Sequence, residues 1–115
     1  MDEQRVASVQ AKYRSQVVEW SESADDPEHA NSIFRSNHEF YKSVRDSTEG
    51  RAAISGLLGD PVEAVRLMAA THTLAWDELA AIDVLDDLRK RGNPSGVDAE
   101  YTLNSYRDGR LNLDW

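Results

Sequence analysis

Three histidines, a run of aspartates and a scatter of serines are the side chains of this sequence that could carry chemistry. His29, His38 and His72 stand at spacings that match no metal-binding pattern such as HExxH. His38 and Glu39 are adjacent, so a helix would turn them to different faces. No serine lies in a Gly-x-Ser-x-Gly elbow, and no glycine-rich phosphate loop is present. Cysteine is absent, which excludes a disulfide framework, a thiolate nucleophile and a cysteine zinc site. The expectation is a protein that is not an enzyme and holds no metal or cofactor.

The aspartates point elsewhere. Asp83, Asp86 and Asp87 stand at i, i+3 and i+4, which makes their carboxylates neighbours on a helix. Like charges at that spacing cost a helix a few tenths of a kcal/mol per pair. Lys90, four residues after Asp86, offsets part of the repulsion. An acidic face left unrelieved is either a solvated surface or the place where a basic partner docks. Asp83, Asp86 and Asp87, with Glu78 at the head of the same helix, are therefore the candidate partner-binding residues. Glu22, Asp25, Asp26 and Glu28 form a second acidic group at a helix corner. Those carboxylates favour the positive N-terminus that follows, so their role is structural. The 21 acidic and 13 basic residues leave a net charge of −8. That charge repels nucleic acid and anionic membranes and attracts a basic protein surface.

These residues need helices to position them. Val6, Val9, Tyr13, Val17 and Trp20 trace an apolar stripe over residues 3 to 24. Asp26-Pro27 opens a second helix, to about residue 45, with Ala30, Phe34, Asn37, Tyr41 and Val44 on one stripe, Ile33 and Phe40 widening it and His38 beside it. A shorter helix spans about residues 49 to 58 after a Ser47 or Thr48 cap, and Gly59 closes it in a left-handed conformation. Asp60 caps the next helix, near residues 61 to 75, with Pro61 in its first turn. This helix is apolar on two sides: Val65, Met68, Ala69 and His72 on one, Leu67, Ala70 and Leu74 on the other. It must be covered on both, so it is expected to be central. Asp77 caps a fifth helix that runs to about residue 91, and Gly92 ends it. Asn93 to Gly96 reads as a loop. A sixth helix, about residues 97 to 107, turns Ala99, Leu103 and Tyr106 inward and stops at Gly109. The tail from Leu111 to Trp115 is expected to lie extended over an open end of the core. Alternating apolar runs are missing, so the fold class is all-α, with about six helices in antiparallel pairs.

The corners Gly59-Asp60-Pro61 and Gly92-Asn93-Pro94 lie 33 residues apart, a period typical of helical solenoids. The stretch LLGDPVEAVRLMAATHTL resembles a HEAT-like repeat. Leu57, Leu58, Asp60, Pro61, Val65, Arg66, Ala69, Ala70 and Leu74 carry the likeness. It implies a short α-solenoid in which Asp60 and Arg66 stitch helices together. Asp60, Pro61, Arg66 and His72 are accordingly read as structural. From about residue 10 to 111 the chain also resembles a small bacterial all-α family catalogued only as a domain of unknown function. Its members join an N-terminal helical hairpin to one such repeat and a terminal helix, which here would end at Tyr106 and Gly109. The resemblance implies one domain over residues 1–115: hairpin about 3–45, repeat about 49–91, terminal helix and tail about 96–115. It transfers no catalytic residue. Proteins of this helical type also occur as immunity partners of bacterial toxins.

The expected function is a non-catalytic protein-binding module, in its sharpest form an immunity protein that neutralises a toxin through its acidic surface. The alternative is a structural or regulatory adaptor or a self-associating domain. A pocket lined by Trp20, Tyr41 and Trp76 is a third possibility. The polar N-terminus lacks the apolar segment of a secretory signal, so a cytoplasmic location is expected.

Overall fold

Five of the six helices start where a short polar side chain accepts backbone N–H groups that no preceding turn satisfies. The computed structural model describes all 115 residues and contains six α-helices and no strand. α1 (Glu3–Ser21) begins after Asp2, whose Oδ1 accepts from the N–H groups of Gln4 and Arg5. Asp26 caps α2 (Pro27–Val44) through the N–H of His29. Ser47 caps α3 (Thr48–Ser55) through the N–H of Gly50. Asp77 caps α5 (Glu78–Arg89), and Asn93 caps α6 (Pro94–Arg107), which therefore starts three residues earlier than the sequence suggests. Asn93 and Pro94 are not loop residues: the first is the cap, and the second fits the first helical turn, where no N–H is needed.

α4 (Glu63–Thr73) departs from that rule. Asp60 does not cap it, and Pro61 precedes it. The Asp60 carboxylate instead accepts the N–H of Val62, only two residues ahead, at 2.9 Å. This closes an Asx turn before the chain has entered helical geometry, and the fixed φ of Pro61 suits that turn. Arg66, one turn into α4, donates to the main-chain oxygen of Asp60 at 2.7 Å and locks the corner. Gly59 is not left-handed either. The two glycines with positive φ are Gly92 and Gly109, at the ends of α5 and α6.

The chain divides into two compact units, residues 1–57 and 58–115. In the first, α1 packs on α2 and on α3. Val9, Tyr13 and Val17 on α1, Ile33, Tyr41 and Val44 on α2, and Ala53, Ile54 and Leu57 in and after α3 are buried. α3 thus belongs with the N-terminal hairpin rather than with α4. The amide of Gln10 ties α1 to the carbonyl of Ala53 at 3.0 Å. On α2 the buried line is Ile33, Asn37, His38, Tyr41 and Val44. Phe34, expected inside, is 38% exposed and tilts against Trp20 at 6.1 Å.

In the second unit α5 packs on both α4 and α6. Leu67, Ala70, Leu74, Ala81, Leu85, Leu88, Ala99 and Leu103 form its core. Leu111 and Leu113 of the tail pack against that core half-buried, as their alternation suggests. α4 is buried on both sides: Val65, Met68, Ala69 and His72 are covered as fully as Leu67, Ala70 and Leu74. No helix is long and apolar enough to cross a membrane.

Gly50 shows how closely α3 follows the end of α2. A Cβ built on Gly50 would lie 1.8 Å from the carbonyl oxygen of Val44. Gly59 has nothing within 4 Å of such an atom. Gly50→Ala should therefore lower stability by ~1–3 kcal/mol in urea denaturation, despite the better helix propensity of alanine. Gly59→Ala should change it by no more than about 0.5 kcal/mol.

Candidate functional site

The outward face of α5 follows from what its inward face must bury. Ala81, Leu85 and Leu88 recur at steps of four and three and are fully covered. That fixes the rotation of the helix and turns Leu79, Asp83, Asp86 and Lys90 outward on the opposite side, at steps of four, three and four. Leu79 is 82% exposed, more than any other large apolar side chain of the protein. Its signal in the sequence is the step of four to Asp83, which puts it on the acidic face.

The acidic residues are not equivalent. Arg89 donates through Nε to Oδ1 of Asp86 at 3.0 Å, and its Nη2 binds the same oxygen. Lys90 Nζ lies 3.3 Å from the other carboxylate oxygen of Asp86. Arg91 Nη2 donates to Asp87 at 3.1 Å, and its Nη1 reaches Glu63 on α4 at 3.4 Å. Glu63 also accepts from the Asn93 side chain at 2.9 Å and lies 3.8 Å from Arg66. The three cations that close α5 thus neutralise most of an acidic face expected to be unrelieved. Of the three aspartates, Asp83 alone makes no ion pair. With Asp86 and Asp87 it borders a cleft of about 310 Å³, floored by Leu58 and Val84 and edged by Arg66 and Lys90.

Glu78 is set apart from that face. It accepts a hydrogen bond from the Tyr106 hydroxyl at 2.5 Å, which ties the start of α5 to the end of α6. The same bond holds the Tyr106 phenol above its usual titration range. Glu78 remains exposed, but it lies five residues before Asp83 and therefore well around the helix from it.

The residues read as structural are engaged as such. Asp60 and Arg66 build the corner before α4, Pro61 lies within it, and His72 is buried. His38 is buried too, its ring tilted against that of Tyr41 at 5.4 Å. His29 is exposed and lies 3.5 Å from the carboxylate of Glu19. No three histidine, aspartate or glutamate side chains gather as a metal site would require. Tyr41 is fully covered, and burial, followed by the charge of Tyr41, pushes the neighbouring Tyr13 phenol well up.

No protein-family model and no curated protein matches the chain. Among solved structures, the crystal structure of the protein RPA1889 from Rhodopseudomonas palustris is similar with a TM-score of 0.83. The likeness covers 93% of this chain and 92% of that one at 23% sequence identity. It places the protein in a class: all-α proteins built on this six-helix fold. At that identity the likeness speaks to the fold alone.

Arg89, then Lys90, holds the Asp86 carboxyl below its ordinary range by hydrogen bonding the ionised form. A depressed folded value means that Asp86 contributes stability above the unfolded value and loses it as pH falls through the folded one. Arg89→Ala should move the Asp86 midpoint upward in an NMR-monitored titration, and Lys90→Ala should move it by less.

Proposed function

We propose that this chain is a non-catalytic protein-binding module that docks a basic protein on the outer face of α5. The observation that carries the reading is the pairing of an exposed Leu79 with an ion-unpaired Asp83 one turn away on the same face. An apolar anchor beside a carboxylate with no cation of its own is the composition of a docking patch. The leucine supplies affinity through burial, and the carboxylate selects the partner and speeds the encounter. Asp86 and Asp87 already have cations, so they shape the local field more than they offer bonds. Glu78 lies at the margin.

The specific form we favour is an immunity protein that binds and neutralises a bacterial toxin in the cytoplasm. Support comes from the net charge of −8, from the resemblance of residues 57–74 to a HEAT-like repeat, and from the resemblance to a small bacterial family whose helical type recurs among immunity proteins. Toxins that act on nucleic acids carry basic clefts, which an acidic protein of this size can cover.

The test is co-expression with the toxin candidate encoded beside this chain, scored by growth and by gel filtration of the complex. Growth should be rescued, and a complex should elute whose affinity falls as salt rises. Leu79→Asp and Asp83→Lys should each weaken the complex by at least about tenfold, a loss of ~1.4 kcal/mol. Asp87→Asn should change it by less than about threefold, because Arg91 already holds that carboxylate. No rescue and no complex would remove the immunity reading. A complex indifferent to Leu79 and Asp83 would move the docking surface elsewhere.

A further inference from the structure

The outer face of α6 is a second place where apolar side chains stand in solvent. α6 buries Gly96, Ala99, Leu103 and Ser105. Its opposite side carries Val97, Tyr101, Asn104 and Asp108 at steps of four, three and four. Val97 is 63% exposed and Tyr101 70%. Glu100 and Arg107, seven residues apart, share one flank of that stripe. Arg107 makes no ion pair within the chain, and the field of Glu100 reaches Arg89 on α5.

This flank is complementary to itself. When two α6 helices lie antiparallel about a twofold axis between Leu103 and Asn104, each flank faces its own copy. Glu100 then stands level with Arg107 of the second copy, and Arg107 with Glu100, giving two opposite-charge pairs. Tyr101 enters the gap between Asn104 and Asp108 of the second copy, as a knob enters a hole in any close helix pair. We propose that a second copy of this chain docks here, α6 against α6, and that the protein self-associates through this surface. The helix has 14 residues and is about 21 Å long, so the contact falls short of a standard interface and the dimer is weak and concentration-dependent.

Sedimentation equilibrium of the full chain from micromolar to millimolar concentration tests this. The average mass should climb toward that of a dimer. Glu100→Arg or Arg107→Glu should each raise the dissociation constant by at least about tenfold, because each breaks both pairs and creates two like-charge contacts. The double reversal Glu100→Arg with Arg107→Glu should recover the wild-type constant to within about threefold, because the pairs are inverted but intact. Tyr101→Ala should weaken the association without any charge change. These side chains are exposed, so circular dichroism should report unchanged helix in every variant. A chain that stays monomeric at millimolar concentration overturns the proposal. So does a dimer indifferent to the single reversals, or one that the double reversal fails to restore.

Discussion

The burial of Ala81, Leu85 and Leu88 against α4 and α6 is the constraint on which the second unit depends. Each fully covered leucine is worth roughly 1.5–3 kcal/mol relative to leaving it in water. No surface ion pair of this protein approaches that, since exposed pairs contribute about 0–1 kcal/mol. The apolar stripe therefore decides how α5 is turned about its axis. Where the charges end up is a consequence. Leu79 is exposed because Ala81 and Leu85 are not.

The acidic character resolves differently once the helices are in place. A net charge of −8 suggests diffuse repulsion awaiting an external cation. The structure answers much of it locally. Arg89, Lys90 and Arg91 end α5, where cations complement the helix dipole, and the same three side chains reach back one turn to Asp86 and Asp87. Arg91 continues to Glu63, and Glu63 to Asn93, the residue that caps α6. One small network thereby joins the start of α4 to the corner between α5 and α6. The Tyr106–Glu78 bond joins α5 to the other end of α6. Between these two ties the helix pair is held at both ends, and the hydrocarbon between them does the rest.

How much of this was legible beforehand follows from the range of each interaction. Caps at Asp26 and Asp77 are decided within four residues and are legible in the sequence, which leaves the cap of α3 between Ser47 and Thr48. Six helices and the double burial of α4 follow from periodicity, which is also local. The misreadings came where two local options compete. Asp60-Pro61 and Asn93-Pro94 look alike, yet the first makes an Asx turn ahead of the helix and the second caps one. A carboxylate and an amide both accept N–H groups, and only the path of the following backbone decides which N–H is reached. Phe34 and Ile33 are neighbours on α2, and nothing in their hydrophobicity says which will face the core. The pairing of α3 with α1 is long-range, held by the Gln10 side chain, which reaches the Ala53 carbonyl and packs against Gly56, and no pattern of period 3.6 encodes it. Of the candidate docking residues, the spacing of Asp83, Asp86 and Asp87 was visible, but their inequality was not. It depends on rotamers of Arg89 and Arg91 that only the folded helix end selects.

That inequality changes what acidity can mean for recognition. A carboxylate that already holds an arginine gains little from a second cation, because the new bond must replace one present in the free protein. Asp83 has no such bond to lose. Leu79 has no core to return to, since the rotation that would bury it would expose Leu85 and Leu88. A partner that covers Leu79 thus removes from water apolar surface that the fold itself cannot remove, while its cation meets the carboxylate that the fold left unpaired. The two residues are linked by the same helical turn, so one partner element can engage both at once. Specificity on this face would then rest on the coincidence of one apolar and one charged contact, and the wider negative field would set how fast partners arrive rather than which of them stay.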